Sequence, residues 1–549
     1  MIIMVVISLL RGGNIAKYIK DIVFGNLARQ KLLEGMEILA KAVASTLGPR
    51  SRTVAIDITA NYDVAPTILK DGVGVARSIN LKDVHQDMGA RLLKQAALKT
   101  VKDVGDGTTL TTILAYAIVK EALKAIASGV NPMQIKQEVE EAAKFIVASL
   151  QKLAVKISKY EEKEQIATIS SADPEIGKLE AEALEKVGKE GVITVEEGTT
   201  LETTIDYKQG MEIDRGYMST YFVTDQERGE SIIEDPYILI TDRNINYTHE
   251  ILPFLENFTK ETSSKNLVIF AGALIEEAMG IIAANKIRGV LNICAIQSPA
   301  FGTRRADELE DIAILTGGTT ILADSGRGIA SIIPEELGRA DKVIANRERT
   351  IILNGKGDKK VINKRIEELR KQLAGVNTDF DKEIKNERLA KLAGKIAVIN
   401  VGATTEIEVK EKKERVIDAV AATKAAIEEG IVAGGEITLL KLASEAAEMP
   451  VDGFSIGRSI LLSALKEPFK KLLENAGIDY AEALQKLHDK PYPYGIDVID
   501  GQVKDMIKTG IIDPVLVTRS ALQNAVSIAS MTITTSCLIT DVPSEDLYK

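Results

Sequence analysis

Hydrophobic periodicity changes twice along this 549-residue chain, and that limits the folds open to it more than any other feature. From Gly25 to Leu47, residues Leu32, Leu33, Met36, Leu39, Val43 and Leu47 recur at helical spacing until Gly48-Pro49 ends the pattern. Helical signal resumes from Met88 to Val101, breaks at Gly105-Asp106-Gly107, restarts at Thr108 for a run to Ala127, and continues in a further helix to about Leu153. Between the first two helices, Thr53 to Ile58 alternates as a strand does and Lys70-Asp71-Gly72 predicts a tight turn. From Ser158 to Thr220 short β-like segments such as Val192 to Val195 alternate with acidic helical stretches. From Pro236 to Ile352, strands predicted at Tyr237 to Ile240, Leu267 to Phe270, Leu291 to Ile296 and Thr319 to Leu322 lie between helical windows. That alternation is the mark of an α/β unit. Lys360 to Ala393 reads as a charged helical pair, Ile396 to Val409 as strands, and the chain from Lys412 onward as mainly helical.

At this length several domains are expected, with helical ends flanking an α/β centre. The aromatics are few, Phe 10, Tyr 13 and Trp 0, so the cores must be built from Ala, Ile, Leu and Val. Sixty-nine basic residues against 79 acidic ones give a net charge of −10, and no long basic block occurs, which argues against nucleic acid as a partner. Cys294 and Cys537 are the only thiols, too few for a disulfide framework or a cysteine-rich zinc site, and a reducing compartment fits best. His85, His249 and His488 lack metal-ligand spacing. Met1 to Leu10 is apolar but too short to span a membrane, and it lacks the basic start and small-residue cleavage site of a secretory signal. The expectation is a short extension on a cytoplasmic chain with no membrane partner.

Gly105-Asp106-Gly107-Thr108-Thr109 is the sharpest chemical motif. A helix start offers unpaired N–H groups and partial positive charge, glycine admits a phosphate close to the backbone, and a carboxylate can hold its Mg²⁺. The same residues also make a good helix cap. No P-loop pattern is present, and Gly72-Val73-Gly74 lacks the third glycine of a dinucleotide fingerprint. Thr46-Leu47-Gly48-Pro49, Lys70-Asp71-Gly72 and Gly434-Gly435 have suitable chemistry for a nucleotide, but spacing alone does not bring them together.

Read in order, these motifs resemble a known family. They are joined by Phe24-Gly25-Asn26, Gly129-Val130-Asn131-Pro132-Met133, the run from Gly188 to Val195, Asp214-Arg215-Gly216-Tyr217, Leu315-Thr316-Gly317-Gly318, the run from Ala425 to Gly435, Asp513-Pro514 and the run from Val517 to Gln523. Together they resemble a group I chaperonin, the GroEL type, from about residue 17 to Val542.

The resemblance implies an all-α equatorial ATPase domain (17–152 and 429–545), a small α/β intermediate domain (153–208 and 397–428) and an α/β apical domain (209–396). It implies that Thr46, Leu47, Gly48, Pro49 and Lys70 line ATP, that Asp106 binds Mg²⁺, and that Gly107, Thr108, Thr109 and Leu110 cradle the phosphates. Gly435 and Asp513 are similar to base and ribose contacts, while Asp418 resembles the carboxylate that orients the attacking water, with Asp71 assisting. K⁺ is allowed as a second ion. Tyr217, Tyr221, Phe222, Leu252, Leu255, Met279, Ala283 and Ala284 are expected on an exposed apical rim that holds unfolded polypeptide and the co-chaperonin. The implied assembly is two stacked seven-membered rings closed by a GroES-type lid.

Departures from the family pattern bear on this. Leu110 stands for a third threonine, Glu436 for a glycine, Asp497-Val498-Ile499 for Asn-Ala-Ala, Lys395 for a hinge glycine and Lys156 for a hinge proline. The turn around Ala60 to Tyr62 is lengthened. Two rivals therefore stand beside an ATP-dependent chaperone: a Mg²⁺-dependent ATPase or kinase acting on a small molecule, and a diverged scaffold or binding protein with weak ATPase.

Overall fold

The computed structural model describes residues 20–57, 67–69, 71–157, 159–171, 173–188, 191–198, 200–226, 228–300, 302–374, 379–448 and 455–541. Met1 to Leu10, Ala60 to Tyr62 and Lys70 lie outside them. The chain divides into two compact units, one made of residues 1–181 and 403–549 and the other of 182–402.

The N-terminal segment begins with β1 (Lys20–Phe24) and α1 (Gly25–Ala44), followed by β2 (Val54–Ile56), β3 (Thr67–Leu69) and α2 (Gly72–Ser78). Then come α3 (Val84–Val104), α4 (Thr108–Ala127), α5 (Pro132–Leu153), α6 (Tyr160–Ser171) and α7 (Pro174–Val187). The central segment carries β4 (Val192–Glu197), β5 (Thr204–Ile213), a short 3₁₀ turn (Thr220–Phe222), β6 (Ser231–Glu234), β7 (Tyr237–Thr241), α8 (Thr248–Glu261), β8 (Asn266–Ala271), α9 (Glu276–Ile287), β9 (Asn292–Gln297) and α10 (Thr303–Thr316). It closes with β10 (Thr320–Ile321), β11 (Gly338–Ala345), β12 (Thr350–Gly355), α11 (Lys359–Ala374), α12 (Asp379–Ala393) and β13 (Lys395–Val401). The return segment contains α13 (Glu406–Glu429), β14 (Ile431–Ala433), α14 (Ile437–Glu448), α15 (Ile456–Ala464), α16 (Glu467–Ala476), α17 (Tyr480–Leu487), β15 (Tyr494–Asp497), β16 (Gln502–Asp505), β17 (Ile512–Pro514), α18 (Val515–Thr534) and β18 (Cys537–Asp541).

The first unit is a helical assembly. Leu32, Met36, Leu39 and Val43 are all buried on one face of α1, as their spacing requires. The longest buried face belongs to α18, and its Ala521, Leu522, Ala525 and Ala529 share a core with α3, α4 and α5. Alanine-rich contacts bring helix axes close, which is how an aromatic-poor chain still packs densely. The ends of the unit pair as strands, β1 against β18 in antiparallel register with Ile22 opposite Ile539.

The second unit is built on one mixed sheet in the order β9, β8, β7, β11, β12, β5, β13, β4, with β10 beside β7 and β6 beside β11. Its parallel strands β7, β8 and β9 read as continuous apolar runs because both faces are covered. Asp311 of α10, buried in this unit, is held by Arg365 of α11 at 2.8 Å and by Arg388 of α12 at 2.7 Å.

Two local expectations are corrected. Asp71 does not form a tight turn; its carboxylate accepts from the N–H groups of Val73 (2.9 Å) and Gly74 (2.6 Å) and so starts α2. The strand at Ile396 ends at Val401, and Thr405 caps α13 by accepting from the Glu408 N–H, so residues up to Val409 that alternate are already helical. Among the described residues both cysteines are free, and no helix is long and apolar enough to cross a membrane.

Candidate functional site

Two glycines shape the centre of the first unit. Gly105 ends α3 at φ 78° and Gly107 precedes α4 at φ 94°, both left-handed conformations that disfavour any side chain. The chain thereby reverses within three residues and leaves Asp106 between two helix ends. Its Oδ1 accepts from the Gly107 N–H at 2.5 Å. The Thr111 N–H makes the first bond back along α4, to the Gly107 carbonyl at 3.0 Å. The N–H groups of Thr108, Thr109 and Leu110 therefore precede the helical ladder.

Other motifs converge here. Thr46 Oγ1 lies 3.3 Å from Thr109 Oγ1. A Cβ at Gly72 would stand 2.5 Å from Thr109 Oγ1 and 3.4 Å from Thr46 Oγ1, so the absent side chain keeps a cradle open between them. The loop after α1 is fixed by Asn475, whose amide donates to the carbonyls of Ala44 (2.9 Å) and Leu47 (3.0 Å). Gly48 takes φ 83° in that loop, and Pro49 is exposed. From the return segment, β17 pairs with β14 and brings Asp513 opposite Val432, while Gly435 turns at φ 66°.

Carboxylates dominate the electrostatics. Burial pushes Asp106 up, with the neighbouring charge of Asp71 acting the same way. Burial likewise raises Asp71, the Val73 and Gly74 N–H groups opposing it and Glu414 of α13 adding to it. Asp513 is pushed up to about 7 by burial and by Asp106, against the pull of the Glu436 N–H. Glu436 rises well above the carboxylate range through burial, Asp513 and Asp106. Asp106 is common to these repulsions, an arrangement that favours a bound cation. Among the described residues no set of three His, Cys, Asp or Glu side chains forms a self-contained metal site. Mg²⁺ needs no more than one or two protein carboxylates, because water and phosphate oxygens complete its shell, and Asp106 is a carboxylate of that kind. The Thr108 hydroxyl is buried and has no hydrogen-bond partner among the described residues. An orphaned donor beside free helix-start N–H groups fits an anionic ligand.

The helix α13 leans on this turn. A Cβ at Gly105 would lie 2.1 Å from Ala421 Cβ. Asp418 is half-buried one turn before Ala421, and Glu414, one turn earlier again, is the residue felt by Asp71. One expected contact is revised: the Leu110 side chain is buried in the helical core, so only its backbone can serve a phosphate. Sequence reasoning missed Glu414 because nothing in a charged helical stretch marks the residue that faces a site.

The sequence profile of the TCP-1/cpn60 chaperonin family matches residues 39–543. The chain belongs to this family. Among solved structures, the chaperonin gp146 from bacteriophage EL 2 (Pseudomonas aeruginosa), crystallised in the presence of ATP-BeFx, is similar in two crystal forms. Crystal form II gives a TM-score of 0.67 at 22% identity, covering 95% of this chain and 99% of that one. Crystal form I gives 0.59 at 20% identity with the same coverage. The multidomain chaperonin fold is thus shared over nearly the whole chain.

The chaperonin's second unit carries the residues expected to form a polypeptide-binding rim, and it separates them. Tyr221 is 61% exposed, whereas Phe222 beside it is wholly buried. Leu255 and Ala283 are also core residues, so these three do not form an exposed rim in this structure. Leu252, Met279 and Ala284 are half-buried, and Tyr217 is half-buried with its hydroxyl donating to the Gly229 carbonyl at 3.1 Å. Exposed instead are Tyr247 at the start of α8 and Ile275 at the start of α9, with Ile287 at its end. The 3₁₀ turn of Tyr221 and α8 both pack against α9. Tyr247 and Ile275 escaped notice because a residue just before a helix lies outside its periodic pattern.

Proposed function

We propose that this chaperonin is a group I, GroEL-type, ATP-dependent chaperone that captures non-native polypeptide and assists its folding. The observation that carries the reading is the convergence of Thr46, Gly72 and Thr109 at the start of α4, where Asp106 and the unpartnered Thr108 hydroxyl also lie in the chain. In this reading Asp106 holds Mg²⁺, with K⁺ allowed beside it, and the start of α4 receives the phosphates. Lys70 is assigned to the phosphates by resemblance alone, since it lies outside the described residues. Mg²⁺, when bound, supplies neutralisation of phosphate charge. Gly435 and Asp513 take the base and ribose.

Asp418 orients the attacking water, with Asp71 assisting. Its place on α13, which abuts Gly105, makes hydrolysis depend on how that helix is seated. Tyr221, with the half-buried Leu252 and Met279, forms the polypeptide-binding and lid-binding face. Apolar burial contributes about 25 cal/mol per Å² without needing a sequence motif in the client. The equatorial, intermediate and apical boundaries, the two seven-membered rings, the GroES-type lid and a cytoplasmic setting belong to the same proposal.

The deciding experiment is refolding of a denatured protein by the assembled chaperonin, with and without ATP and lid protein, alongside ATP turnover. ATP-dependent refolding is expected; brisk turnover that changes no refolding yield overturns the chaperone reading. One observation favours a second reading, a diverged chaperonin with weak ATPase. Glu436 adds a carboxylate in a left-handed conformation (φ 61°) beside Asp513 and Asp106, where an anionic ligand must enter. Rings that bind polypeptide yet hydrolyse almost no ATP would support that second reading.

A further inference from the structure

Glu180 of α7 is wholly buried, and neither of its carboxylate oxygens has a hydrogen-bond partner among the described residues. An ionised carboxylate without donors is among the groups a protein interior tolerates least. Its surroundings on α7 are apolar, with Ile176, Ala181, Ala183 and Leu184 all buried. Against α6 the helix packs through Gly177, whose Cβ position falls 2.0 Å from Thr168 Oγ1, and that contact brings no charge. On α13 the carboxyl faces Thr423 and Lys424. The Thr423 hydroxyl donates to the Ala419 carbonyl at 2.8 Å and, lying beside the acid, still favours its ionised form, as does the positive charge of Lys424.

We propose that Glu180 is a proton-operated latch between α7 and α13. Protonated, it lets the two helices pack; ionised, it drives them apart and shifts Asp418, about one and a half turns before Thr423 on the same helix. Glu180 is thus a positioning residue that acts through α13. Burial pushes the acid from 4.5 up to about 8, opposed by Thr423 and Lys424. The sign follows. Below about pH 4.5 the carboxyl is neutral whether packed or open, and packing carries no penalty. Between about 4.5 and about 8 the open form sheds its proton first, so opening grows by about tenfold per pH unit; above about 8 it levels off.

The effect on turnover rests on the ATPase reading, but the packing change does not. The test is amide hydrogen exchange of the assembled chaperonin from about pH 6 to about pH 9, corrected for intrinsic exchange rates, with α4 as reference and ATP turnover in parallel. Wild type is expected to lose protection in α7 and α13 by about tenfold per unit until about pH 8. Glu180→Gln keeps the shape but cannot ionise, and should hold protection constant; Glu180→Leu gives the same comparison if the amide variant folds poorly. Equal pH profiles in wild type and both variants overturn the latch, as does a flat wild-type profile. A chain with the expected exchange profile and no ATP turnover keeps the latch and refutes the ATPase reading instead.

Discussion

Ala421 of α13 stands where Gly105 leaves no room for a side chain: a Cβ at residue 105 would fall 2.1 Å from Ala421 Cβ. Gly105 also holds φ 78° as the cap of α3. Gly105→Ala therefore strains the turn by about 1–2 kcal/mol and pushes α13 away from it. If Asp418 works from α13, a displacement near 1 Å should lower kcat by about a hundredfold. Adding Ala421→Gly restores space and should recover much of the loss. A double-mutant cycle on kcat checks this, and strict additivity would count against the contact.

Asp418→Ala removes the proposed water-orienting carboxylate without touching the Thr46, Thr108 and Thr109 cradle. Nucleotide binding measured by calorimetry should stay within about twofold, while hydrolysis falls by at least about a hundredfold. Unchanged turnover would remove Asp418 from the mechanism. Thr108→Ala should do the reverse, weakening nucleotide binding, because it deletes an orphaned buried hydroxyl rather than a catalytic group.

How much of this was legible depended on where geometry is local. The run Thr108 to Ala127 was predicted to the residue because Gly105 and Gly107 can only punctuate there. The sequence marks Asp71 but does not distinguish a turn from a helix cap there, since the two share the same residues. Adjacent Tyr221 and Phe222 look alike in sequence, and only packing against the central sheet sends one outward and the other inward. Glu436 was visible as a departure; its proximity to Asp106, more than 300 positions away, depends on the return of the chain to the first unit.

That split predicts opposite outcomes for the two aromatics. Tyr221→Ser removes an exposed ring and should weaken capture of a denatured protein with little change in unfolding midpoint. Phe222→Ser empties a core position and should cost about 3–5 kcal/mol of stability. Thermal unfolding and a capture assay on both variants separate the effects. Full capture by Tyr221→Ser together with loss on replacing Tyr247 and Ile275 would move the binding face to the starts of α8 and α9.

The thiols give an independent check of the fold. Cys294 sits on β9 inside the sheet, where burial pushes it up to about 12 despite Lys286 and the Ser231 hydroxyl pulling down. Only the thiolate reacts with disulfide reagents, so at about pH 8 the native protein should leave Cys294 unmodified for hours. Cys537, half-buried in β18 beside the exposed Ile539, should react within minutes. Titration with a chromogenic disulfide should count one thiol in the native chain and two after denaturation. Two fast-reacting thiols in the folded protein would mean that the β8–β9 layer opens readily, and the burial assigned to the second unit's core would be wrong.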